Sequence, residues 1–437
     1  MRNQLLGTTA LVAAGLFVLA DAGPASAQQK VEPLKVTIGG YAAAFVSFVD
    51  QDDRAPAPVG NPSTRLGKFV KLDTHTDQEI HFNGRTTLAN GITVGFRIEL
   101  EGNTSGDTID ESWLFAEGKF GRIELGQLNN VHYRMGVRAP DVFTRGWLNE
   151  GNLTNVVANP TGSSNNNSTI NATIPRFADN DSDKINVYTP RFMGLQVGAS
   201  YIPDSSQDSA VPTPASTAYT RGWAVAGNFI RSFGPVDISA YAGYFTYQGP
   251  QTGVTATGAT VNAPDPDIYA FGGQIGFAGF RVGGSYGAVD NGRTPFGATG
   301  APGLPVAPPP GVPGVLGAGG GGAQVDGRAW DIGASYTAGP ASVSLTYFNG
   351  RNNDGACVAA TQVCAVNVGG DDKLTALALA GKYVIGPGIS IDAVIFVAEF
   401  KGNDLPNSSS SSSSSAADRE RNDNEAVGGV VGLVLVF

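Results

Sequence analysis

Histidine and cysteine are scarce, with 3 and 2 in 437 residues. So few ligands leave little room for a histidine-rich metal centre. Cys357 and Cys364 share one polar segment with no histidine nearby. Two further zinc ligands are missing, so the expectation is a loop disulfide in an oxidising compartment. Only 15% of residues are charged, and acids outnumber bases 38 to 28. A formal charge of −10 supplies no basic face for phosphates, which argues against a nucleic-acid partner. A mean hydropathy of −0.05 is too apolar for a disordered chain. The glycine run 319–322 is not followed by Lys-Ser or Lys-Thr, so it is no phosphate loop. No catalytic, metal or cofactor residue is expected.

Long apolar runs are missing too. The first 27 residues stand apart, with Arg2, the stretch LVAAGLFVLA (11–20) and small residues at ASA (25–27). That pattern predicts a secretory signal, residues 1–27, cleaved after Ala27. Beyond it no apolar run reaches the ~18 residues a membrane helix needs. An exported chain without such an anchor is free in the periplasm, secreted, or an outer-membrane barrel.

What is present is alternation with a period of two. In GITVGFRIELEG (91–102), Ile92, Val94, Phe96, Ile98 and Leu100 fall on one side and Thr93, Arg97, Glu99 and Glu101 on the other. A helix would mix these sets; a strand separates them onto two faces. EIHFNGRTTLA (79–89) repeats the pattern, with His81, Asn83 and Arg85 on the polar side. Sixteen such segments occur between Lys35 and Phe437, and none has a convincing 3.6-residue period. Their spacers alternate short and long. SFGP (232–235), FAGF (277–280) and TAGP (337–340) are short; 50–76, 129–182, 289–327 and 401–424 are long, including Ser408–Ser415 and the Gly/Pro tract 301–322. Tight turns on one side and long loops on the other are the mark of a transmembrane barrel. The expectation is an all-β fold, one domain over 28–437, forming a 16-stranded antiparallel transmembrane β-barrel. Its turns would be short and periplasmic and its loops long and extracellular.

The polar faces are rich in Gly, Ser, Thr, Asn, Arg and Glu, which suits a wet lumen. Rings near strand ends (Trp113, Tyr188, Tyr201, Trp223, Trp330, Tyr336, Tyr347, Tyr383) read as interfacial girdles. The chain stops in an apolar strand, GGVVGLVLVF. In a closed barrel that strand pairs with the first, leaving no edge open to lipid.

These residues resemble a known family. KVTIGGYAAAFVSF, NGRTTLANGITVGFRIELEG, ESWLFAEGKFGRIELGQ, KINVYTPRFMGLQVGASY and the terminal VLVF are similar to the general bacterial porins, especially those of alphaproteobacteria. The resemblance implies a trimeric outer-membrane channel whose third external loop, here 129–182, folds inward. It implies that Phe437 is read by the barrel-assembly machinery, and that the partners are membrane lipid, lipopolysaccharide and identical subunits. The serine run and the Gly/Pro tract have no family counterpart.

A lumen charge assignment follows from parity. Outward residues on both sides of Ala89–Gly91 are even-numbered, so the turn has an odd number of residues, three, with Gly91 left-handed. His81 then opposes Glu99, and Asn83 opposes Arg97. Arg85 and Arg97 are expected on the wall near mid-barrel, with Arg122 facing the same way. Acidic partners are expected from the inward loop, Asp141 and Glu150 first, then Asp179, Asp181 and Asp183. Their role as a constriction is implied by the family. The function expected is passive diffusion of ions and small hydrophilic solutes, weakly favouring cations. A sugar-specific channel would need an aromatic track in the lumen, and the lumen-facing set looks short of rings apart from Tyr188. A barrel enzyme such as a lipase would need a Ser–His pair near lipid, with only His75, His81 and His132 to supply it.

Overall fold

The computed structural model describes residues 33–52, 69–102, 108–144, 146–158, 170–177, 179, 181–206, 218–254, 260–262, 265–293, 324–354, 356–358, 363–365, 371–401 and 423–437. The expected signal 1–27, the tract 301–322 and Ser408–Ser415 lie outside the described residues. Sixteen strands form one closed barrel in chain order. They are β1 Lys35–Gln51, β2 Leu72–Thr87, β3 Thr93–Glu101, β4 Ile109–Gly118, β5 Gly121–Gln127, β6 Asp183–Tyr188, β7 Leu195–Asp204 and β8 Thr220–Phe233. The circuit continues with β9 Val236–Gln248, β10 Asp267–Phe277, β11 Phe280–Arg293, β12 Gln324–Ala338, β13 Ala341–Asp354, β14 Asp371–Gly386, β15 Ile389–Lys401 and β16 Asn424–Val436. Among the described residues no helix is long and apolar enough to cross a membrane; the strands do so.

The terminal apolar strand closes the circuit. β16 pairs with β1, with Tyr41 opposite Val436. Phe437 and Gly40 exchange backbone hydrogen bonds of 3.0 and 3.1 Å. No lipid-facing edge is left, which hydrocarbon requires. The β2–β3 turn has the expected length and register: His81 opposes Glu99 and Asn83 opposes Arg97. Gly91 takes φ of 83°, a conformation that costs a residue with a Cβ about 1–2 kcal/mol.

Several strands run further toward the long loops than the sequence suggests. β2 begins at Leu72, not near 79, because its outward residues Thr74, Thr76 and Gln78 form no apolar stripe. Short ribbons occupy two spacers: 251–254 pairs with 260–262, and 356–358 with 363–365.

The outer wall carries the apolar set, including Val36, Ile38, Leu114, Ile332, Leu345, Ile395 and Leu433, all exposed. Leu114 faces out, so Phe115 faces in and resolves an ambiguous segment. Trp223, Trp330, Tyr336 and Tyr383 lie outside, in keeping with girdles. Trp113 and Tyr188 do not: both are buried on the inner face, which corrects their assignment to the girdle and agrees with the inward position that alternation gives Tyr188.

The inner face is less uniformly polar than expected. Phe348, Leu374, Val394, Phe396 and Phe400 point inward and pack against Phe143, Trp147, Leu148 and Leu153 of the segment between β5 and β6. A second cluster joins Val131, Met135, Val137 and Ile174 of that segment to Ile202, Tyr241, Phe245, Tyr247 and Ile268. Inward apolar positions thus mark where a loop, not water, covers the wall.

Candidate pore constriction

The described residues of the segment 128–182 lie inside the barrel. The segment opens with a helical turn, Val131–Arg134, capped by the Asn130 side chain on the Tyr133 N–H. It then bonds wall strands far from its own ends. Asn228 Nδ2 on β8 donates to Met135 O at 3.1 Å, and Gln274 Nε2 on β10 to Arg138 O at 2.7 Å. Ala139 N donates to Asp331 on β12 at 3.2 Å, Val142 N to Ser344 Oγ on β13 at 3.1 Å and Thr144 N to Asp392 on β15 at 2.8 Å. The two apolar clusters clamp it on opposite sides. Backbone N–H groups matched to wall acceptors satisfy buried polar groups while the rings beside them are buried.

The space left open lies between this segment and the wall, chiefly β1–β4, with Gln274 on β10 and Arg281 on β11 also lining it. It is a cavity of about 1210 Å³. Asp77, Glu79, Glu99, Glu101, Asp110 and Glu111 line the wall side; Arg138 and Arg176 face them from the loop. The wall groups are held in place. Tyr41 Oη is 2.8 Å from Asp77 and 2.7 Å from Glu79, and His81 Nε2 is 2.7 Å from Glu79. Arg97 bonds Glu99 through Nε and reaches His81 Nδ1 at 3.0 Å. The triad Glu79, His81, Glu99 has the donor types of a cation site, but the Arg97 guanidinium already supplies the positive charge there.

The expected wall arginines do point inward, but their surroundings differ from the expectation. Arg85 stands two residues from the turn end of β2, nearer the rim than mid-barrel, and pairs with Glu117 at 2.6 Å. Glu117 also meets Arg122 at 2.7 Å, Arg122 meets Glu124 at 2.7 Å, and Glu124 meets Arg134 of the loop at 2.7 Å. The result is an alternating ladder up the wall. Trp113 packs under it, with the Arg122 and Arg134 guanidinium carbons 5.3 and 5.2 Å from its ring centre, a favourable cation–π arrangement.

The acidic partners are therefore wall glutamates. Asp141 instead accepts backbone N–H bonds from Phe143 at 3.0 Å and Trp147 at 2.6 Å, shaping the loop. Burial pushes its carboxyl up, and those bonds oppose the shift. Glu150 is 2.8 Å from Arg138 and accepts from Tyr133 Oη at 2.6 Å. Asp179 forms a buried pair with Lys184 at 3.0 Å, and Asp181 is buried beside Asn129. Strand geometry explains the correction: residues i and i+2 share a face, and the sequence writes Arg-Ile-Glu twice, at 97–99 and 122–124. That repeat was the missed signal for Glu124. Arg138 and Arg176 carry no local signal, because the loop has no periodicity to read.

Interior rings are more numerous than expected, yet Phe245, Tyr247, Trp147 and Phe348 are at most 3% exposed. They pack the loop against the wall, while Tyr41, Tyr133, Phe143 and Trp147 also line the cavity. A serine–histidine pair does occur, Ser47 Oγ to His75 Nε2 at 3.0 Å. The same nitrogen is the one nearest Asp73, at 3.9 Å, and Ser47 is buried on the inner face. A triad needs the acid on the other ring nitrogen.

A closed sixteen-strand barrel, apolar outside and threaded by a charged loop, defines a membrane channel. A family model described as Gram-negative porin matches residues 7–404, and the chain belongs to that family. It is therefore an outer-membrane channel protein. Comparison with curated protein sequences returns no match. Among solved structures, the barrel is similar to an anion-selective porin from Comamonas acidovorans, at 16% identity over 93% of this chain and 100% of that chain, TM-score 0.53. It is similar to the outer membrane channel DcaP of Acinetobacter baumannii, at 12% identity over 95% and 100%, TM-score 0.55. It is also similar to in-vitro folded OmpT of Vibrio cholerae in its trimer form, at 12% identity over 93% and 100%, TM-score 0.53. At these identities the likeness is one of fold.

Proposed function

We propose that the barrel lets ions and small hydrophilic solutes diffuse passively across the outer membrane, with a weak preference for cations. The observation that carries this reading is the sign of the open space. Eight carboxylates line it, the six wall acids with Asp141 and Glu150, against the guanidinium groups of Arg138, Arg176 and Arg281. Low-dielectric walls focus that field into the water path. In this reading Arg97, Glu99 and Arg122 belong to the neck and Arg85 to the turn-side mouth. Asp141 acts by shaping the loop, and Glu150 by fixing Arg138. The test is a reversal potential across a planar bilayer in a salt gradient. A cation-signed potential is expected; zero conductance defeats the channel, and an anion-signed potential defeats the selectivity.

The same reading includes a homotrimer, contacts with lipopolysaccharide, and recognition of Phe437 by the assembly machinery. The trimer form of the similar OmpT structure supports the first. It includes a Cys357–Cys364 disulfide as well, supported by their direct opposition in the ribbon of 356–358 and 363–365, since opposed strand residues have the spacing a disulfide needs. Alkylation of the denatured, unreduced chain is expected to label neither cysteine.

A further inference from the structure

The two ends of the inner loop meet at Asn129, just after β5, and Asp181, just before β6. The Asn129 side-chain amide has two hydrogens, and both are used. Nδ2 donates to Glu111 Oε1 on β4 at 2.8 Å and to Asp181 Oδ1 at 3.1 Å. The Asn129 backbone N–H also donates to Glu111 Oε1, at 3.1 Å. Turning the amide over would set its oxygen against both carboxylates, so these contacts fix its orientation.

Two oxygens are left over. Asn129 Oδ1 and Asp181 Oδ2 are buried, and neither has a hydrogen-bond partner among the described residues. Asn129 is 8% exposed and Asp181 0%. A buried carboxylate oxygen without a donor is costly, and here a second carboxylate, Glu111, shares the same amide. Among the described residues no cation is in ion-pair contact with Asp181. The three N–H groups of Lys184 are taken by Leu128 O, by Ser182 O at 2.6 Å and by Asp179 at 3.0 Å. The groups whose oxygens and nitrogens converge closely enough for a metal ion are wall residues, Asp77, Glu79, His81, Glu99 and Glu101, and Asp181 is not among them.

One proton satisfies both oxygens. We infer that Asp181 is a neutral carboxylic acid at neutral pH, and that its Oδ2–H donates to Asn129 Oδ1. With the bond from Asn129 Nδ2 to Asp181 Oδ1, this closes a two-bond acid–amide ring at the root of the loop. Burial, then the charges of Asp110 and Glu111, push the Asp181 carboxyl up, while Arg176 and Lys184 oppose them. Glu111 differs, because it accepts two N–H bonds and lines the open cavity, which suits an anion. Asp181 is therefore a positioning residue. It joins both ends of the loop to β4 through Asn129 and adds no charge to the neck.

The first measurement is infrared difference spectroscopy on the purified barrel at pH 7, native protein minus Asp181→Asn. The carbonyl stretch of a protonated carboxyl group is expected, moving to lower frequency in heavy water as an exchangeable O–H requires. Absence of that band overturns the inference. The second is amide exchange at 128–131 and 181–184. Asp181→Asn puts an N–H where the acid O–H stood, so its protection is expected within about twofold of native, whereas Asp181→Ala is expected to lose about tenfold. Equal losses in the two variants would show that a negative charge holds the root, and so overturn the neutral acid. Millimolar calcium is expected to leave the band and the protection unchanged. A band that disappears with calcium while protection rises overturns the proton and assigns the two oxygens to a cation. None of these readouts depends on the selectivity of the pore.

Discussion

Thr144 in the inner loop donates its backbone N–H to Asp392 on β15, 248 residues later in the chain, at 2.8 Å. The Thr144 hydroxyl donates to the same carboxylate, and so does Ser390 Oγ at 2.7 Å. Asp392 is fully buried. Asp331 does the same work one side over, taking Ala139 N and Ser285 Oγ. The wall thus holds the loop by acceptors placed under its N–H groups.

Asp392→Ala removes that acceptor and leaves a buried N–H unmatched, at a cost of about 1–3 kcal/mol. The loss is local, since the barrel ladder is untouched. Amide exchange of the loop around Thr144 is expected to speed up roughly ten- to hundredfold, with noisier single-channel current. Unchanged exchange would show that the apolar clamp alone holds the loop.

Arg97→Ala removes a cation from between Glu99 and His81. The cation-to-anion permeability ratio is expected to rise about twofold, near 0.4 kcal/mol, in line with a wetted and screened charge. Arg85→Ala is expected to do less, because Arg85 sits at the rim with 65% of its side chain exposed. The comparison uses reversal potentials at one salt gradient. Equal effects would place the neck elsewhere.

Asp110→Asn combined with Glu101→Gln takes two carboxylates from the cavity wall. The cation preference is expected to fall toward unity, opposite in sign to Arg97→Ala and similar in size, roughly twofold. The effect is expected to shrink as ionic strength rises and the Debye length shortens. A shift that ignores salt would point to a change of pore shape.

Strand faces and the β2–β3 register were legible because one side of those strands meets lipid and the other meets charge. Legibility failed where both sides are apolar. In LTALALAGKYV and ISIDAVIFV parity cannot tell lipid from loop, and Phe396 turns inward to meet Trp147, 5.5 Å between ring centres. Trp113 looked like a girdle ring because it lies among Leu114 and Phe115, yet it packs under Arg122. The loop's course depends on partners such as Asp331 and Asp392, more than 190 residues away in sequence. No local pattern encodes such pairings.

His132 gives the loop a dependence on pH. It is fully buried in the helical turn at the start of the loop. Tyr241 Oη donates to the His132 carbonyl at 2.6 Å, so its contact with Nδ1 at 3.0 Å uses the ring N–H as donor. Nε2 is left buried without a partner, and a proton placed there would find no acceptor. Burial, then the Arg138 charge, lowers the group from 6.5 to about 3. A released loop would take up that proton below pH 6.5, and the docked loop takes it up only near 3. Docking is therefore complete in strength above 6.5 and weakens as pH falls through that window, by up to about 1.4 kcal/mol per pH unit. At pH 5 the loss is roughly 2 kcal/mol. Protease cleavage or amide exchange within 131–144 is expected to rise between pH 7 and pH 5 in the native protein. His132→Phe keeps a ring in the pocket and carries no proton, so its profile over the same range is expected to be flatter. Parallel profiles for the two proteins would assign the acid response to the carboxylates of the loop instead.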